Sequence, residues 1–221
     1  TGSTVDDTTL NYTVTFSEPV SNFAIGDITV TGTANGGSPA ASNFAGSGAT
    51  YTFDVVRGSS DGTVVVSVAA GTATDAAGND NTVSNTYILT IDTVNPTITI
   101  SSTTSCGSTV DDTTLSYTVT FSEPVSDFAV GDITVTGTAN GGSPAASNFA
   151  GSGATYTFDV VRGSSDGTVV VSVAAGTATD VSSNSNIASN TCTFTVDTVH
   201  PIPIITSSTD SNGSTVSDLT L

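Results

Sequence analysis

The chain has 221 residues, of which 20 are acidic and 2 basic, for a formal net charge of −18. Arg57 and Arg162 are its whole cationic inventory. That excludes a nucleic-acid binder, which neutralises phosphates with Lys or Arg, and argues against docking on an anionic membrane. No apolar run approaches the ~20 residues of a spanning helix, so no membrane insertion is expected in this segment.

Strand signals dominate from the start. LNYTVTF (residues 10–16) places Leu10, Tyr12, Val14 and Phe16 on one face and polar residues on the other. DITVTG (27–32), TYTFDVV (50–56), TVVVSVAA (63–70) and NTYILTID (85–92) follow, each β-branched or aromatic and bounded by Gly, Ser, Asn or Asp. Their alternation adds Phe53, Val55, Val64, Val66, Leu89 and Ile91 to the predicted core. No segment has an apolar period of 3.6. About seven short strands in ~100 residues predict an all-β fold, an antiparallel sandwich with immunoglobulin-like topology and sheets wet on one side.

The chain then repeats itself. Residues 2–75 and 107–180 differ only at Asn11/Ser116, Asn22/Asp127 and Ile25/Val130, at an offset of 105 (Gly2 to Gly107). Residues 212–221 begin a third copy that matches 1–10. The expected organisation is repeat 1 over 1–95, repeat 2 over 96–200, and the first strands of repeat 3 over 201–221. PTITISS (96–102) opens repeat 2 and PIPIITSS (201–208) opens repeat 3, while no such strand precedes repeat 1. A window on a longer array accounts for this. Alternatively, the chain is a filament subunit whose missing strand comes from a neighbour.

FSEPVSNFAIGDITVTG (16–32), VAAGTATDAAGN (68–79) and the joint DTVNPTITI (92–100) resemble bacterial Ig-like repeats. The resemblance covers nearly the whole chain and implies tandem Ig-like sandwiches. It also implies the setting of such repeats in very large, calcium-stiffened surface adhesins. Repeat 2 departs from it where VSSNSN (181–186) replaces AAGNDN (76–81).

In a sandwich of this topology the loop 122–132, the last hairpin loop 177–186 and the incoming joint 92–96 meet at one pole. Asp92, Asn95, Glu123, Asp132 and Asp180 are therefore expected to converge there. Repeat 1 offers Glu18, Asp27, Asp75, Asn79 and Asp80 at the equivalent pole. Oxygen-only ligand sets of this kind suit Ca²⁺, which takes six to eight of them, so Ca²⁺ is the expected cofactor. Because repeat 2 lacks the Gly-Asn-Asp of DAAGND, its site is expected to be the weaker. Asp6, Asp7, Asp61, Asp111, Asp112 and Asp166 fall at the opposite pole, where turn chemistry accounts for them.

Cys106 and Cys192 both belong to repeat 2. Counting strand levels puts them near opposite ends of the sandwich, beyond the ~7 Å Cα reach of a bridge. An oxidising extracellular setting permits one nonetheless, and both a disulfide and a buried free thiol stay open. His200 stands where repeat 1 has Asn95, with no partners for a catalytic triad. Glu18 and Glu123 lie one period apart and cannot face one substrate. No enzyme is expected. The reading is a structural spacer or stalk of an extracellular, cell-surface repeat protein, its partners being neighbouring repeats of the same or another copy. A carbohydrate- or cell-binding module is the remaining alternative.

Overall fold

The structure is a computed structural model that describes residues 4–5, 8–34, 40–139 and 145–206. Repeat 1 contains β1 (Thr4–Val5), β2 (Thr9–Thr15), β3 (Ile28–Thr31), β4 (Ala40–Ser47), β5 (Thr50–Val56), β6 (Gly62–Val68) and β7 (Tyr87–Ile91). They form two sheets, β1-β7-β6-β3 and β2-β5-β4. Repeat 2 contains β8 (Ile98–Ser102), β9 (Thr109–Val110), β10 (Thr114–Val125), β11 (Ile133–Thr136), β12 (Ala146–Val161), β13 (Gly167–Val173) and β14 (Cys192–Val196). Its sheets are β11-β13-β14-β9 and β12-β10-β8. Each repeat is thus an all-β sandwich with its own core.

β4 and its counterpart in β12 carry no alternating pattern in sequence. Asn43 takes a positive φ of 50°, and the pairing of β4 with β5 slips between Ser42 and Ala45. That bulge breaks the two-residue period by which strands are read. Residues 201–206 are exposed and outside any strand, and the expected third copy over 207–221 lies outside the described residues.

The two repeats differ at one edge. In repeat 2, β8 pairs with β10 from Tyr117↔Ser102 to Phe121↔Ile98. Ile98 and Ile100 then cover Tyr117, Val119 and Phe121, all at most 2% exposed. Among the described residues nothing pairs with that edge of β2, and Tyr12, Val14 and Phe16 are only half-buried. The other predicted core residues of repeat 1 are fully buried.

The cysteines are joined, with Cα atoms 5.1 Å apart, which corrects the count of strand levels. The chain leaves β8 in one sheet and enters the other as β9, which runs parallel to β14 with Thr109 opposite Thr195. Three residues back along both parallel strands, Cys106 meets Cys192 at the same level. Gly107 fixes this corner: its φ is 94°, and its N–H donates to the Thr193 carbonyl at 2.6 Å.

Candidate metal site at the joint between repeats

The joint is held from both sides. Repeat 1 contributes Asp61, whose Oδ1 accepts the N–H of Thr93 at 2.8 Å and its hydroxyl at 2.7 Å. Asp166 makes the same two bonds to Thr198 at the next joint, at 2.7 and 2.6 Å, and they hold its carboxyl below the usual range. The pole of repeat 1 that carries Asp61 therefore abuts repeat 2. Asp61 and Asp166 are joint tethers, contrary to the expectation of plain turn residues. A signal was present in sequence, since SSDG and DTV recur together in both periods.

From repeat 2, the loop between β13 and β14 folds around Asp180. One carboxylate oxygen accepts the N–H groups of Ser182 and Asn184 at 2.7 and 2.9 Å. The other accepts the Asn184 side-chain amide at 2.9 Å. Ser182 and Asn184 then reach across the joint. The Ser182 hydroxyl donates to the Asp92 carboxylate at 3.2 Å, and the Asn184 amide donates to the Asp92 carbonyl at 3.1 Å. Asp180, Ser182 and Asn184 are all at most 5% exposed. The replacement of AAGNDN by VSSNSN thus keeps the Asn, as Asn184, and puts Ser182, which grips the preceding repeat, in the place of Ala77.

Asp92, Glu123 and Asp180 come together here, each with a carboxylate oxygen within 4.8 Å of the others. Partial burial, then the charges of Asp92, Asp180 and Asp61, push the Glu123 carboxyl above its ordinary range. The trio is an all-oxygen donor set with uncompensated negative charge, which fits a hard divalent cation.

The other expected ligands are placed differently. Asp132 does not belong to the trio; its carboxylate accepts the Ala129 N–H at 2.8 Å and closes the 3-10 turn Val130–Asp132. Asp27 does the same for Ala24 at 2.8 Å. Both sit in the expected loop, and each caps its own 3-10 turn. Asn95 is exposed at the joint. In repeat 1 Asp75 repeats the Asp180 pattern, accepting from Ala77 and Asn79. These bonds, that from the Asn79 side chain first, lower its carboxyl. Glu18, Asn79 and Asp80 are exposed and line a cleft with Asp75. Among the described residues no acidic trio closes there.

The rare cations lie elsewhere. Arg162 is buried and donates to the carbonyls of Asp111, Asp112 and Gly163. It also pairs with the Asp111 carboxylate at 3.1 Å. Asp111 and Asp112 thus orient an arginine, while Asp6 and Asp7 fall outside the described residues.

No helix among the described residues is long and apolar enough to cross a membrane. Comparison with curated proteins gives no match. The family profile described as bacterial Ig-like domain matches twice, over residues 2–91 and 92–196. Two β-sandwiches at those positions, together taking in most of the sequence, place this chain in the bacterial Ig-like domain family.

Proposed function

We propose that the chain is a spacer segment of a long extracellular surface protein, its joints stiffened by Ca²⁺. Ig-like all-β domains of this family are typically non-catalytic structural modules and often surface-exposed. One observation carries the calcium reading. The trio spans the joint, with Asp92 from one repeat and Glu123 and Asp180 from the next. A cation held by these three would turn their repulsion into a cross-link that resists bending. Water and backbone carbonyls would supply the remaining oxygens. The disulfide fits an oxidising compartment outside the cytosol.

Scattering and thermal melting with calcium and with chelator test the reading. A cation that binds only the native state adds about 2.7 kcal/mol at 100 Kd. The melting temperature of repeat 2 should fall on chelation and the joint should loosen. Glu123→Gln should blunt both responses. Asp180→Asn is the poorer probe, because Asp180 also holds its own loop together. Identical curves and melting temperatures with and without chelator would sink calcium stiffening.

A further inference from the structure

Tension passed along the chain enters repeat 2 through β8, which follows the first joint, and leaves through β14, which runs into the second. Both strands are held at their outer ends. The Pro96 carbonyl accepts the Ile187 N–H at 3.0 Å, and the Thr97 carbonyl accepts the Ser122 N–H at 2.9 Å. Beyond β14, the Asp197 N–H donates to the Val110 carbonyl at 3.1 Å, and Asp166 holds Thr198.

The disulfide is a covalent short cut between these two strands. Cys106 follows β8 across a short corner, and Cys192 is the first residue of β14. The path from joint to joint therefore runs through residues 96–106, the S–S bond and residues 192–200. The strands β9 to β13 hang from it as a closed loop. That loop holds Tyr117, Val119, Phe158 and Val171 of the core, together with Glu123, Asp180 and Asn190. A span with a sequence separation of 86 would reach about 300 Å at ~3.5 Å per extended residue, and the bond withholds that length. Repeat 1 has Thr1 and Tyr87 where these cysteines stand, and the chain has no other cysteine.

The two strands on the path are not equally held. β14 lies between β13 and β9 in its sheet, whereas β8 is an edge strand paired with β10 alone. We propose that repeat 2 limits how far the chain lengthens under tension: β8 gives way, the closed loop stays folded, and β8 docks back on β10 when the tension falls. Repeat 1, which no bond bypasses, is the part that lengthens. The Asn190 clasp and the register with β10 both belong to the loop, so the acceptor for β8 survives the pull. A short segment regains a standing edge faster than a whole sandwich forms, because few long-range contacts have to be rebuilt. The inference rests on the spacer reading, in which tension passes along the chain, and calcium has no part in it.

Single-molecule pulling on the 221-residue protein through handles at its two ends, in chelator, tests the proposal. Oxidised molecules should show one long unfolding step, from repeat 1, and a short one from β8. After dithiothreitol a second long step should add about 300 Å, at ~3.5 Å per residue. Cys106→Ser combined with Cys192→Ser should show that step without reductant. On relaxation the short step should reverse at least tenfold faster than reduced repeat 2 refolds. A short step that returns only as slowly as the reduced repeat overturns the proposal, because the loop would then have unfolded with β8. An equal total length before and after reduction overturns it as well. Either failure leaves the spacer reading standing, since a spacer can extend throughout, and scattering at the joint tests calcium separately.

Discussion

Asn190 binds both backbone polar groups of Ile100, closing the outer side of an edge strand that would otherwise present them to water. This side-chain clasp does for β8 what a further strand would do, and it fixes the register of the segment that links one repeat to the next. Asn190→Ala should therefore destabilise repeat 2 by about 1 kcal/mol, the usual net value of such bonds. Hydrogen exchange at the Ile100 amide should accelerate while the amides of β5 and β6 keep their rates. Unchanged protection at Ile100 would mean that the clasp contributes nothing.

The disulfide closes a loop with a sequence separation of 86. Chain-entropy reasoning gives about 4.6 kcal/mol for a loop of that length. Replacing both Cys106 and Cys192 by Ser should lower the melting temperature of repeat 2 and leave repeat 1, which has no cysteine, where it was. Calorimetry that resolves two transitions in the wild type is the check.

Without metal, stability at the joint should fall with rising pH in the window just above the ordinary range of a glutamate carboxyl. The Glu123 carboxyl is raised in the folded state, by partial burial first and by Asp92, Asp180 and Asp61 next. Between the unfolded value and the raised folded one, the native protein holds more protons than the unfolded chain, so stability declines as pH climbs through that window. Glu123→Gln should flatten this part of the profile in chelator. Urea unfolding at a series of pH values would show it, and a wild-type profile already flat there would contradict the assignment.

Tyr12 and Tyr117 stack on Phe53 and Phe158, and among the described residues their hydroxyls have no hydrogen-bond partner. Burial first, with Tyr87 adding, pushes the Tyr12 phenol up to about 12, and burial raises Tyr117 as well. Both raised phenols contribute stability that is complete below the unfolded value of ~10 and is lost as pH rises beyond it. Tyr117→Phe should be neutral or slightly stabilising at pH 7, since it removes a buried hydroxyl without breaking a bond. It should also delay alkaline unfolding. A loss of more than about 1 kcal/mol on urea unfolding would show that the hydroxyl has a partner.

Periodicity in the sequence determined the fold class, the repeat, and seven buried core residues of repeat 1, with Tyr12, Val14 and Phe16 on the core face but only half-buried. Two-residue alternation is a local property that survives any arrangement of the sheets. The acidic pole was legible in the same way, because the loops that carry Glu123 and Asp180 and the joint that carries Asp92 follow from strand order. Only the tertiary structure separated those three carboxylates, which meet across the joint, from Asp27 and Asp132, whose carboxylates cap their own 3-10 turns. It likewise decided that Asp61 faces the following repeat, that Cys106 reaches Cys192 once the chain switches sheets between β8 and β9, and that Tyr12, Val14 and Phe16 lie half-bare where Tyr117, Val119 and Phe121 are covered. The last difference arises between segments of nearly identical sequence. Burial there depends on whether a strand from another part of the sequence lies alongside, and no local pattern encodes that.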